Sequence, residues 1–182
     1  MTLDLPQLPV SSVLRDIATG LAREGRAVLS APPGAGKTPL VPLSLLDQDW
    51  RGDGKIILLE PRRLAARAAA SRMASLLGES VGETVGYRMR LDNRVSGKTR
   101  IEVVTEGVFA RMILEDPELS GVAAVIFDEF HERSLDADFG LALALDVRSA
   151  LRDDLRILVM SATLDIERVA GLLDHPPFIE SH

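Results

Sequence analysis

The sequence predicts an α/β domain with a mostly parallel sheet and helices on both faces. Three features predict it: short apolar runs that end on turn or polar residues, helical periodicities between them, and a glycine-rich turn directly after the first run. The chain has 182 residues, enough for one domain that buries roughly 70% of the surface its unfolded form exposes.

Taken in order, residues 11–24 come first. Val13, Leu14, Ile17, Ala18 and Leu21 follow helical spacing behind two serines suited to capping. We expect residues 1–25 to form a helical segment leading into a core made by residues 26–182. Apolar runs at residues 27–30, 56–59, 101–104, 122–127 and 157–160 read as strands buried on both faces. Helical patterns near residues 38–46, 62–77, 106–114, 136–151 and 166–173 alternate with them. This alternation requires right-handed crossovers and places a ligand at the carboxyl ends of the strands. Residues 90–100 read as an exposed loop, and residues 175–182 as the start of another strand that stops as if cut from a longer protein.

The first strand leads into Ala31-Pro-Pro-Gly-Ala-Gly-Lys-Thr38, a Walker pattern with Ala at its first position. Gly34 and Gly36 allow the backbone of Pro33, Gly34, Ala35 and Gly36 to turn N–H groups around phosphate oxygens, and the helix behind them adds the partial positive charge of its N-terminus. Lys37 would reach the β and γ phosphates of ATP, and the Thr38 hydroxyl would ligate Mg²⁺. Pro39 and Pro42 would stiffen the start of that helix. A plain strand-to-helix turn is the simpler alternative, but it leaves the Lys-Thr spacing unexplained.

A metal on phosphate also needs a carboxylate, and the strand at residues 122–127 delivers Asp128 and Glu129. Asp128 can hold Mg²⁺ through its waters while Glu129 orients the attacking water and takes its proton. The alternative is a solvated acidic pair at a strand end.

Charge bounds the partners. The net charge of −6 argues against binding nucleic acid over the whole surface, yet residues 62–100 hold nine basic residues against three acidic ones, a local +6 that leaves −12 elsewhere. From charge alone, an anion-binding stripe and a solvated surface are equally good readings. The absence of cysteine excludes disulfides and thiolate metal sites. With an acidic N-terminus and no apolar run of about 18 residues, we expect a cytoplasmic protein without membrane contact.

Asp128-Glu-Phe-His-Glu-Arg-Ser-Leu-Asp136 resembles the second motif of DEAH-type superfamily 2 helicases, with Phe130 where Ala is usual. Pro61-Arg-Arg-Leu-Ala-Ala66, Thr105-Glu-Gly107 and Ser161-Ala-Thr163 are similar to motifs Ia, Ib and III of that family, in the same order. Leu59-Glu-Pro-Arg-Arg-Leu-Ala-Ala-Arg67 and Val85-Gly-Tyr-Arg-Met-Arg90 look like bacterial members in particular. The resemblance covers nearly the whole chain. It implies a RecA-like P-loop NTPase fold and an ATP-dependent RNA helicase of which this chain is the first of two RecA-like domains.

Carried to matching positions, the resemblance puts Lys37, Thr38, Asp128 and Glu129 in ATP hydrolysis with Mg²⁺. His131 would couple hydrolysis to strand movement, and Arg72 would stack its flat guanidinium on the adenine. Arg62 and Arg63 would meet nucleic-acid phosphates, and Arg90, Thr105, Glu106 and Gly107 would also bind in that groove, without reading sequence. Ser161 and Thr163 would link the ATP state to that grip; capping of the following helix is their other reading. The implied partners are single-stranded RNA, with DNA also open, and a second RecA-like domain that supplies arginine fingers. Nothing after Thr163 resembles the motif that carries those fingers. Other P-loop phosphotransferases and a non-catalytic nucleic-acid-binding module are the competing classes; the first explains neither Thr105-Glu-Gly107 nor Ser161-Ala-Thr163.

Overall fold

The computed structural model describes residues 3–130, 134–162 and 166–182. Its elements in chain order are α1 (Leu14–Glu24), β1 (Arg26–Ser30), α2 (Lys37–Ser44), β2 (Lys55–Glu60), α3 (Arg63–Leu76), β3 (Val85–Met89), β4 (Asp92–Arg94), β5 (Ile101–Thr105), α4 (Glu106–Glu115), β6 (Val122–Phe127), α5 (Leu135–Ala150), β7 (Arg156–Ser161), α6 (Ile166–Leu172) and β8 (Phe178–Glu180). The strands form one sheet in the order β4-β3-β5-β2-β6-β7-β1-β8. Every neighbouring pair is parallel except β3 with β4.

Alternation along each strand divides the core in two. Leu29, Ile56, Leu58, Val103, Ile126 and Leu158 point to the face covered by α1, α2 and α3. Val28, Ile57, Leu59, Val104, Val125 and Val159 point to the face covered by α4, α5 and α6. Connections that run toward β3 carry α2 and α3, and those that return toward β8 carry α4, α5 and α6. A single crossover hand demands this division, because reversing the direction of travel moves the helix to the other face.

The expected fold class is observed, β8 forms in the stretch expected to begin another strand, and β3 and β4 are the two additions at strand level. The stretch at residues 90–100 is not one open loop: Arg90 and Leu91 turn a hairpin between β3 and β4, with Met89 paired to Asp92. Gly86 permits it, because a Cβ there would come within 2.2 Å of the Arg94 carbonyl oxygen. β3 mixes Gly, Tyr and Arg among its apolar residues and so lacks the continuous apolar run that marks the central strands. Val10, Ile17 and Leu21 are fully buried, so the N-terminal segment packs into the same core as α2 and α3. Pro39 lies in the first turn of α2, as expected, but Pro42 sits inside the helix and removes the bond that residue 42 would make to Thr38.

Candidate functional site

The ends of the strands place the motifs side by side. Across the sheet, Arg90 follows β3, Thr105 ends β5, Glu60 ends β2, Asp128 follows β6, Ser161 ends β7, and the glycine-rich loop follows β1. Glu60 pairs in register with Thr105, and Ser30 with Ser161. Residues expected to meet nucleic acid therefore occupy β3, β5 and β2, and those expected to meet nucleotide occupy β6, β7 and β1. The two sets meet between β2 and β6.

On the nucleotide side, Gly34 and Gly36 both adopt left-handed conformations, with φ of +79° and +88°. Only glycine takes these without strain, and at Gly36 a Cβ would also collide with Leu8. The N-terminal segment braces the loop from outside, since the Val10 N–H donates to the Ala35 carbonyl at 3.0 Å. Pro33 and Gly34 are exposed, Ala35 is buried, and Lys37, 4% exposed, opens α2.

The Thr38 hydroxyl donates to Asp128 Oδ2 at 2.7 Å, joining residues 90 positions apart. Asp128 is 6% exposed, and its Oδ1 accepts from the Glu129 N–H at 2.9 Å. A hydroxyl and a carboxylate fit Mg²⁺, a hard cation that takes few protein oxygens and completes its shell with phosphate and water. Glu129 has a φ of +54°, a conformation that costs a non-glycine residue roughly 1–3 kcal/mol and that clusters at functional sites. A cleft of about 280 Å³ unites Thr38, Arg62, Arg72, Asp128 and Glu129 with Glu60. A wider groove of about 450 Å³ beside α1 holds Arg15, Arg23, Ser44 and Gln48 but no acid or histidine.

Glu60 is the member that the sequence reading missed. It is 2% exposed, and its Oε1 has no hydrogen-bond partner. Burial first, then its hydrogen bond to Asp128 and the charges of Asp128 and Glu129, push its carboxyl up to about 11, against the pull of Arg62. A protonated Glu60 would lower the negative charge beside Asp128. The folded state holds a proton that the unfolded chain releases near 4.5. This contribution is complete below that pH and is lost as pH rises toward the folded value. Glu60→Gln, a neutral isostere, is therefore expected to raise the thermal midpoint more at pH 8 than at pH 5, as scanning calorimetry would read. An equal midpoint shift at both pH values would contradict a protonated Glu60.

On the other side, Arg62 caps α3 and Arg63 opens it; both are exposed, as are Arg90 and Gly107. Arg62 lines the cleft with Thr38 and Asp128 rather than standing only beside Arg63. Thr105 and Glu106 are half-buried at the start of α4, and the Glu106 carboxylate accepts from the Ser134 hydroxyl at 2.9 Å. The basic stretch is not one free stripe: Arg67 pairs with Asp92, and Arg88 lies 3.0 Å from the buried carboxylate of Glu102, which Lys55 also contacts at 2.6 Å. Arg72 is exposed on α3, facing the cleft.

Phe130 is buried, its ring edge-on to Phe127 at 6.3 Å, and its N–H donates to the Met160 carbonyl. The larger side chain is accommodated by the core under α5. Ser161 is buried at the end of β7, where its carbonyl accepts from the Ala31 N–H at 3.0 Å and so ties motif III to the phosphate loop. His131 and Thr163 lie outside the described residues. Among the described residues, no cluster of three acids, histidines or cysteines could hold a metal unaided, and no helix is long and apolar enough to cross a membrane.

A family model for DEAD/DEAH box helicases matches residues 13–171. The chain is 58% identical over 177 residues to the ATP-dependent RNA helicase HrpB of Escherichia coli (strain K12), covering 97% of this chain and 22% of that protein. It is 35% identical over 173 residues to the ATP-dependent RNA helicase HrpA homolog of Haemophilus influenzae, covering 95% of this chain and 13% of the relative. A crystal structure of the Escherichia coli DEAH/RHA helicase HrpB superposes with a TM-score of 0.91 over 97% of this chain and 22% of that one, at 58% identity. The chain thus spans about a fifth, or less, of the length of these relatives.

Proposed function

Because the chain belongs to the DEAD/DEAH box helicase family, we propose that it is the ATP-binding motor domain of an ATP-dependent RNA helicase, coupling Mg-ATP hydrolysis to movement on single-stranded nucleic acid. The Thr38 to Asp128 hydrogen bond carries this reading, because it brings the phosphate loop and the acidic motif to one point. Pro33, Gly34, Ala35 and Gly36 cradle the phosphates, and Lys37 neutralises the β and γ oxygens. Thr38 and Asp128 would hold Mg²⁺, which would supply positive charge beside the phosphate oxygens. Glu129 orients the attacking water and accepts its proton. Arg72 supports the adenine.

Arg62, Arg63, Arg90, Thr105, Glu106 and Gly107 grip the nucleic acid, with the Glu106 side chain holding the turn that presents Thr105 and Gly107. Ser161, together with Thr163 and His131, relays the nucleotide state to that grip. In the full-length protein a second RecA-like domain closes over the nucleotide and supplies arginine fingers, whose contribution in other phosphoryl-transfer enzymes is about 10³–10⁵ in rate. The isolated chain is therefore expected to bind ATP weakly and hydrolyse it negligibly, whereas the full-length protein turns over ATP faster with RNA. Steady-state ATPase assays of both, with matched RNA and DNA oligonucleotides, test this. RNA-stimulated turnover by the isolated chain would refute the dependence on a second domain, and a full-length protein indifferent to both nucleic acids would refute the helicase reading.

A further inference from the structure

Ser134 lies within the stretch Asp128–Asp136 but has been given no role so far, and its hydroxyl is used twice. As the N-cap of α5 it accepts from the Ala137 N–H at 2.9 Å, and it donates to Glu106 Oε2 at 2.9 Å. Glu106 is the first residue of α4, between Thr105 and the exposed Gly107, and a Cβ on Gly107 would meet nothing within 4 Å. That turn is open to a ligand while its acidic side chain is turned inward. Burial pushes the Glu106 carboxyl up, the Ser134 bond pulls it down, and Asp136 adds to the rise.

A second contact joins the same helix to the catalytic acids. Phe109, one turn beyond Glu106, packs edge-on against Phe127 at 5.9 Å, and Phe127 against Phe130 at 6.3 Å. Phe127 and Phe130 bracket Asp128 and Glu129. α5 packs on this stack at Gly140, where a Cβ would stand in ordinary contact with Phe109 and Phe127 at 3.4 and 3.5 Å. The start of α4 is thus held to the acidic segment from both ends, by a hydrogen bond behind Glu129 and by rings around it. A displacement of the turn at residues 105–107 therefore strains the Glu106–Ser134 hydrogen bond or the Phe109–Phe127 contact.

We propose that Ser134 is a positioning residue through which nucleic acid bound at the turn of residues 105–107 is felt at Asp128 and Glu129. This link rests on the helicase reading given above. It predicts that donation to Glu106, rather than helix capping, is what the coupling requires, and substitutions can separate the two. Asn caps a helix and its amide can also donate; Asp caps it and cannot donate; Gly caps it nearly as well and has no side chain at all.

The test is steady-state ATPase of the full-length protein with and without an oligouridine RNA, alongside thermal melts. Without RNA, all three variants are expected within about twofold of the unmodified protein. Ser134→Asn should keep the RNA stimulation, and Ser134→Asp and Ser134→Gly should lower it about tenfold, a typical coupling between sites. If the added charge unfolds Ser134→Asp, Ser134→Gly decides. Stimulation that survives in the Gly variant, a fall in basal and stimulated rates in the same proportion, or a loss in Ser134→Asn equal to that in Ser134→Gly would each overturn the link alone. An unmodified protein that RNA does not stimulate overturns both the link and the reading on which it rests.

Discussion

Replacing Lys37 by Ala is expected to lower the ATP affinity of the full-length protein by roughly a hundredfold, since a hydrogen bond to a charged group contributes about 1.5–3 kcal/mol and each 1.4 kcal/mol is a factor of ten. Lys37 is 4% exposed, at the first position of α2 and directly behind the left-handed Gly36. Its side chain is therefore held by the fold rather than searching solvent. Because the substitution removes the charge and leaves the glycine turn in place, the loss should appear in ATP affinity. Calorimetric titration with ATP reads it directly; an unchanged affinity would remove the loop from the nucleotide site.

Glu129→Gln should have the opposite signature. Affinity for ATP is expected to stay within a few-fold, while turnover in the presence of RNA falls by about 10²–10⁴, the usual contribution of a positioned general base. Gln keeps the shape and the backbone N–H that donates to Asp128 Oδ1, so the acid proposed to hold Mg²⁺ is undisturbed. It cannot accept the proton of the attacking water. Single-turnover hydrolysis with a parallel binding measurement separates the two effects. Equal losses in affinity and turnover would mean that Glu129 binds the nucleotide rather than activating water.

Much of the site was readable without coordinates because its chemistry is local in the chain. The glycines, Lys37 and Thr38 are contiguous, and the left-handed angles at Gly34 and Gly36 are what glycine in such a turn announces. Asp128 and Glu129 follow the most continuous apolar run in the protein. Arg72 needed the resemblance, since an arginine on a helix of alanines carries no signal of its own. Glu60 and Ser134 escaped notice for different reasons. Glu60 reads as a polar residue that ends a strand, and its burial depends on α3 and β6 closing around it. Ser134 reads as a helix cap, which it is; its second bond, to Glu106, joins residues 28 apart.

The same distinction governs the fold. By itself the sequence determined the α/β class, the five central strands, the helices between them and the phosphate loop, because apolar run length, helical period and glycine position are properties of short windows. Only the tertiary structure decided that β3 and β4 form a hairpin, that Arg67 and Arg88 are neutralised by Asp92 and Glu102, and that Glu60 joins Asp128 in one cleft. Each of those outcomes depends on which strands become neighbours. Neighbour order in a parallel sheet is set by crossovers that pack whole helices on one face or the other, a long-range choice that no short window contains.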